Sequence, residues 1–221
     1  NGNVKGIGEV TARKIIRKEE FNMEKQGVKT RDLVEMALFA AIIVILAFTP
    51  LGYIPLGVIT PTTVHIPVII AGIIFGWKKG AFAGFVFGLT SFLKASFIAP
   101  NITSFLFSPL YPGGNFWSLV ICFIPRILVG VIAYFVFTGL MKVIKNRSVS
   151  TVISAFLTTI IHTILVMGMA YIFFAKEYAE AVKISIKAVK GAILAIVVGN
   201  GIPEAIVAAV ISTAVCTALF T

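Results

Sequence analysis

The sequence predicts an all-α, polytopic membrane protein with six transmembrane helices and both termini in the cytoplasm. Three observations predict it. Hydrophobic residues make up 58% of the 221 residues and charged residues only 13%, with mean hydropathy +1.01, whereas a soluble domain is about 45–50% apolar and ~25% charged. The apolar residues fall into runs long enough for about six helical crossings at roughly 20 residues each. Nearly all the Lys and Arg residues lie outside those runs.

The chain is read as residues 1–22, a polar leader, followed by a single membrane domain over 23–221. The leader carries five Lys/Arg and three Asp/Glu and contains no Met; the first Met is Met23. One codon choice for Arg17–Met23 contains GGAGG about eight nucleotides before ATG, the arrangement of a bacterial ribosome-binding site, so the leader is expected to be a processing or annotation artefact. The alternative is a genuine polar tail.

The first apolar run is Leu33–Thr49, and Pro50, Gly52 and Pro55 keep the next segment from forming a straight helix. The second, Val64–Trp77, is short for a crossing, so it must begin inside the loop or sit where the bilayer thins. The basic turn at Lys78-Lys79 leads to the third run, Ala81–Phe97, interrupted only by Lys94. Ala99–Asn115 is a loop rich in Pro, Gly, Ser and Asn. The fourth and fifth runs are Phe116–Met141 and Val152–Ala175. Lys176–Lys190 is amphipathic at near-helical spacing. The last run, Gly191–Phe220, is broken at Gly199-Asn200-Gly201-Ile202-Pro203, where free backbone groups are tolerated only against protein or a water-filled cavity.

Orientation is set by the short loops. Lys25, Lys29, Arg31, Lys78, Lys79, Lys142, Lys145 and Arg147 fall on one side and Lys94, Lys176, Lys183, Lys187 and Lys190 on the other, eight against five. The richer side, with both termini, is the cytoplasmic one. The formal charge of +10 does not imply nucleic acid, because the cations are dispersed rather than concentrated on one surface.

Gly76, Gly80, Gly84 and Gly88 recur every four residues and predict a close helix contact. Ala37 and Ala41 form a shorter small-residue pair, suited to internal packing or to docking a partner. Arg126 and Glu204 lie inside apolar runs, where a charge costs at least about 2.5–3.5 kcal/mol and normally has a partner. They pair with each other, or Arg126 receives a ligand carboxylate, which its fork fits. His65, Asn101, Tyr111, Asn115, Trp117 and Asn200 complete the candidate binding residues, although Tyr and Trp also collect at membrane interfaces. Cys122 and Cys216 are read as buried small hydrophobes. No metal-ligating cluster, bound cofactor, nucleotide-binding motif or hydrolase motif is found in the sequence, so the chain is not read as an enzyme.

Several blocks together resemble the substrate-binding (S) components of bacterial energy-coupling factor (ECF) transporters, most of all the pantothenate type. They are Thr49-Pro50-Leu51-Gly52-Tyr53-Ile54-Pro55-Leu56-Gly57; His65-Ile66-Pro67-Val68-Ile69-Ile70-Ala71-Gly72 with Phe75-Gly76; Phe116-Trp117-Ser118-Leu119; Ile124-Pro125-Arg126-Ile127-Leu128-Val129-Gly130; and Gly199-Asn200-Gly201-Ile202-Pro203-Glu204-Ala205. The resemblance implies a six-helix protein of the bacterial cell membrane. It would bind a water-soluble vitamin from outside and deliver it through a transmembrane coupling subunit driven by two cytoplasmic ATPase subunits. It assigns Ala37 and Ala41 to docking on the coupling subunit. The competing readings are an S component for another metabolite, a self-sufficient secondary transporter, which would show internal repeats or a chain of ionisable residues, and a lipid-directed intramembrane enzyme, which would need a catalytic cluster.

Overall fold

The computed structural model describes residues 30–52 and 62–220, and every regular element among them is helical. The polar leader, Lys25, Lys29 and the block 53–61 lie outside the described residues. The chain divides after Leu38 into two units. In the first, residues 30–38 are helical, with Arg31 Nε donating to Glu35 one turn later at 2.9 Å. This is a helix-surface pair of small energetic weight.

The helix runs over residues 30–48 (α1). In the second unit its Phe39, Ile43 and Ala47, spaced four apart, are buried. Ala41 is exposed, as Ala37 is in the first unit. Four-residue spacing places Phe39, Ile43 and Ala47 on one helix face.

Helix α2 (His65–Phe75) is buried from His65 through Ile73. A helix apolar all round belongs inside a bundle, and α2 packs against α3 (Trp77–Leu93), α4 (Phe116–Val143) and α7 (Ile202–Leu219). At 1.5 Å per residue it spans about half a hydrocarbon core, so the short second run is an enclosed helix. Pro67 lies in its first turn, where a missing N–H costs nothing, and Gly76 ends it with φ 92°.

Among the described residues, four helical stretches are long and apolar enough to cross a membrane: Trp77–Ile98, Phe116–Val143, Arg147–Val182 and Ile186–Leu219. Exposed Phe82, Phe85 and Leu89 lie on one face of α3, opposite buried Gly80, Ala83, Gly84, Phe87 and Gly88. Apolar outward faces of this kind suit lipid.

The glycine spacing marks the α3–α4 contact at three of its four positions. A Cβ on Gly80 would meet the Gly130 carbonyl, on Gly84 the Arg126 and Ile127 backbone, and on Gly88 the Phe123 ring. Gly76 has open space around it and serves the turn instead; regular spacing cannot distinguish a C-cap from a packing position. Cys122 and Cys216 are free and buried.

Helix α5 (Arg147–Val182) is capped by the Asn146 side chain and kinked at Phe174 (φ −135°, ψ 24°). It absorbs half of the amphipathic stretch, which turns at Lys183 (φ 57°) and continues as α6 (Ile186–Ile196). The expected break at 199–203 is instead a π turn, Val197–Gly201, that carries α6 into α7. A second π turn, Lys94–Ile98, extends α3. Such turns frequently mark functional positions.

Candidate functional site

The 99–115 connection folds over one end of the bundle. Its 3₁₀ turn Ser104–Leu106 is buried. Ser118 donates to the Phe105 carbonyl at 2.6 Å, and Ser96 donates to Ser108 at 2.8 Å. At the start of α4, Asn115 and Ser118 form a capping box, which supplies partners for otherwise unpaired helix N–H groups. These bonds fix the cover over a cavity of about 410 Å³, within the range for small-metabolite sites.

The cavity is built from five parts of the chain. Thr62 and Val64 precede α2; Phe87 and Ser91 come from α3, and Lys94 and Ala95 from the π turn that extends it. Ala99, Asn101, Ser104 and Phe107 come from the cover, Arg126 from α4 and His162 from α5. Its walls mix apolar and polar side chains, and among the described residues its charged lining groups are Lys94 and Arg126. Cationic groups at a cavity wall favour a ligand of negative charge.

Arg126 is buried at 6% exposure. Its guanidinium carbon lies 4.5 Å from the Phe107 ring centre and 5.6 Å from that of Phe87, and its Nη1 donates to the Ile121 carbonyl at 2.6 Å. Lys94 Nζ donates to the Ala47 carbonyl at 3.1 Å, tying the cavity wall to α1. The Phe87 ring also meets His162, at 6.1 Å between centres, and His162 stacks on buried His65 at 6.2 Å.

Of the residues singled out in the sequence, Arg126 and Asn101 line the cavity. The Asn101 Oδ1 accepts from the Thr103 N–H and hydroxyl, both at 2.9 Å, so its NH₂ is the part suited to a ligand. His65 stands one ring behind the wall. Among the described residues no ion pair joins Arg126 to Glu204. Glu204 instead accepts from the Thr62 N–H at 2.9 Å and hydroxyl at 3.2 Å, and so holds a lining residue in place. Asn115 caps α4, Trp117 stacks on Phe173 at 4.0 Å, Tyr111 packs against the cluster around Phe174, and Asn200 sits in the π turn before α7; none of the four lines the cavity.

Lys94, His162, Phe87 and Phe107 were not singled out in the sequence. Lys94 carried one signal, as the single charge interrupting the third run. The two Phe and the His are ordinary residues of apolar helices until the fold brings them together.

This is a small helical membrane protein with a partly open cavity lined by Lys94 and Arg126. The chain belongs to the family described as ECF transporter, substrate-specific component, which it matches over residues 31–216. Its relatives include the pantothenic acid transporter PanT of Lactococcus lactis subsp. cremoris, 41% identical over 199 residues, covering 86% of this chain and 94% of that protein. The pantothenate transporter PanT of Leuconostoc mesenteroides subsp. mesenteroides is 36% identical over 125 residues, covering 54% of this chain and 55% of that one.

Proposed function

We propose that this chain is the pantothenate-binding component of an ECF importer of the bacterial cell membrane, and that the 410 Å³ cavity is its vitamin site. The observation that carries the reading is a cavity lined, among the described residues, by two cations and no acid, in a family member whose relatives are pantothenate transporters. Pantothenate has one carboxylate, an amide, two hydroxyls and a dimethyl carbon. Arg126 takes the carboxylate, with Lys94 adding to the positive field. Asn101, Ser104, Ser91 and His162 provide amide and hydroxyl partners, and Phe87 and Phe107 the apolar wall. His65 and Glu204 act from behind, through His162 and Thr62. Asn115, Tyr111, Trp117 and Asn200 serve the framework around the site.

Titration calorimetry of the purified protein against pantothenate and other water-soluble vitamins tests this reading. Saturable binding of pantothenate is expected, and selective binding of a different vitamin would overturn the ligand assignment.

The protein crosses the membrane six times, with both termini cytoplasmic and the cavity at the outer end. It acts as a binding component, not an enzyme, in complex with a transmembrane coupling subunit and two ATPase subunits. Liposomes holding this protein alone are expected to bind pantothenate without accumulating it, and those holding the whole complex with ATP to accumulate it. Concentrative uptake by the lone chain, measured with radiolabelled pantothenate, would refute this dependence.

Docking uses Ala37 and Ala41, four residues apart in the sequence and each exposed. Small side chains let two helix backbones approach closely. Ala41→Trp is expected to abolish co-purification with the coupling subunit while leaving pantothenate affinity unchanged. A normal yield of complex would remove the docking assignment.

A further inference from the structure

Pro125 lies inside α4, directly before Arg126. A proline has no N–H, and its ring also presses on the carbonyl four residues earlier. In α4 that carbonyl belongs to Ile121, so it receives no helical hydrogen bond from position 125. An unpaired carbonyl inside a membrane protein is costly and is normally re-satisfied by a neighbouring group. Here the neighbouring group is the guanidinium of the next residue: Arg126 Nη1 donates to the Ile121 carbonyl at 2.6 Å. The dipeptide Pro125-Arg126 thus creates an acceptor and supplies its donor.

We infer that Pro125 is the positioning residue for Arg126, holding the guanidinium at the cavity wall before the ligand arrives. An arginine side chain carries large rotamer freedom, and the part removed in the free protein is not lost again on binding. The planar fork suits this use, since one N–H can stay on Ile121 while others face a carboxylate. The cost to α4 is a weakened helical ladder at one position. An ordinary residue at 125 restores the ladder bond to Ile121, draws its carbonyl back into the helix, and so removes this anchor from Arg126.

The functional half of this inference rests on the pantothenate reading above. The structural half does not, and the experiment separates them. Pro125→Ala and, as a second variant against misfolding, Pro125→Val are compared with wild type in two measurements. The first is ¹⁵N NMR of the arginine guanidinium in ligand-free protein, where hindered rotation about the anchored group is expected in wild type and released in the variants. The second is the affinity ratio for pantothenate over pantothenol, its uncharged alcohol analogue, expected to fall roughly tenfold in the variants, the scale of one charge-assisted hydrogen bond. Thermal unfolding is expected to be unchanged or higher, because a helix-breaking residue has been removed.

Unchanged guanidinium signals overturn the anchor, and released signals with an unchanged or larger ratio overturn its role in binding. Absence of pantothenate binding by wild type, together with released signals in the variants, removes the vitamin assignment and upholds the anchor.

Discussion

Arg126→Gln is expected to weaken pantothenate binding roughly ten- to a hundredfold, because a buried hydrogen bond to a charged group contributes about 1.5–3 kcal/mol. The guanidinium lies in the cavity wall against Phe87 and Phe107, at 6% exposure. Pantothenol lacks the carboxylate, so it should bind wild type weakly and lose little more in the variant. The Ile121 carbonyl is orphaned and thermal stability falls in either case; a purely structural arginine differs in that its loss would harm both ligands alike. Calorimetry with the two ligands distinguishes the outcomes, and equal binding of the two ligands to wild type would exclude the carboxylate role. Lys94 remains in the variant and keeps one positive charge in the cavity, so residual, salt-sensitive binding of pantothenate is expected rather than none.

The apolar runs were legible because hydropathy is a local property. The crossing at Phe116–Val143 could be read from its own residues. The enclosure of α2 could not, since a short, largely apolar helix looks alike whether lipid or protein surrounds it. The π turns were also hidden. Gly199-Asn200-Gly201 reads as a break, but Gly201 packs on Thr163 of α5, and tertiary contact keeps the backbone winding through it.

Within the site, Arg126 was legible because a charge in an apolar run is too costly to be incidental. Asn101 was legible from the composition of its loop. Lys94 resembled an interfacial residue at a helix end, and only the close approach of the Ala47 carbonyl places it at the cavity wall. His162 and His65 are far apart in sequence, and their stacking depends on how α2 and α5 are brought together. The Arg126–Glu204 pairing was chemically reasonable from sequence, but Thr62 reaches Glu204 from the segment before α2, whose path sequence spacing does not encode.

The packing of α3 on α4 gives the largest stability effect. A Cβ on Gly84 would overlap the Arg126 carbonyl oxygen, with the Ile127 Cα at 2.7 Å and the Arg126 carbonyl carbon at 2.8 Å. All three are backbone atoms, so no side chain can rotate away and the two helices must move apart. Overpacking of a tight core costs typically 1–3 kcal/mol, and occasionally more; with rigid backbone on both sides Gly84→Ala is expected at about 3 kcal/mol or above. Gly139 and Gly168 also sit in helices, with nothing within 4 Å of where an alanine methyl would stand, so their Ala variants should be neutral or slightly stabilising through helix propensity. Thermal unfolding of the three variants in the same detergent tests the contrast, and a melting temperature for Gly84→Ala equal to that of Gly139→Ala would refute the close contact. The clash falls on the backbone of Arg126 itself. Separating α3 from α4 therefore carries the guanidinium away from Phe87, which α3 supplies, and Gly84→Ala protein that remains folded should also bind pantothenate less tightly than wild type.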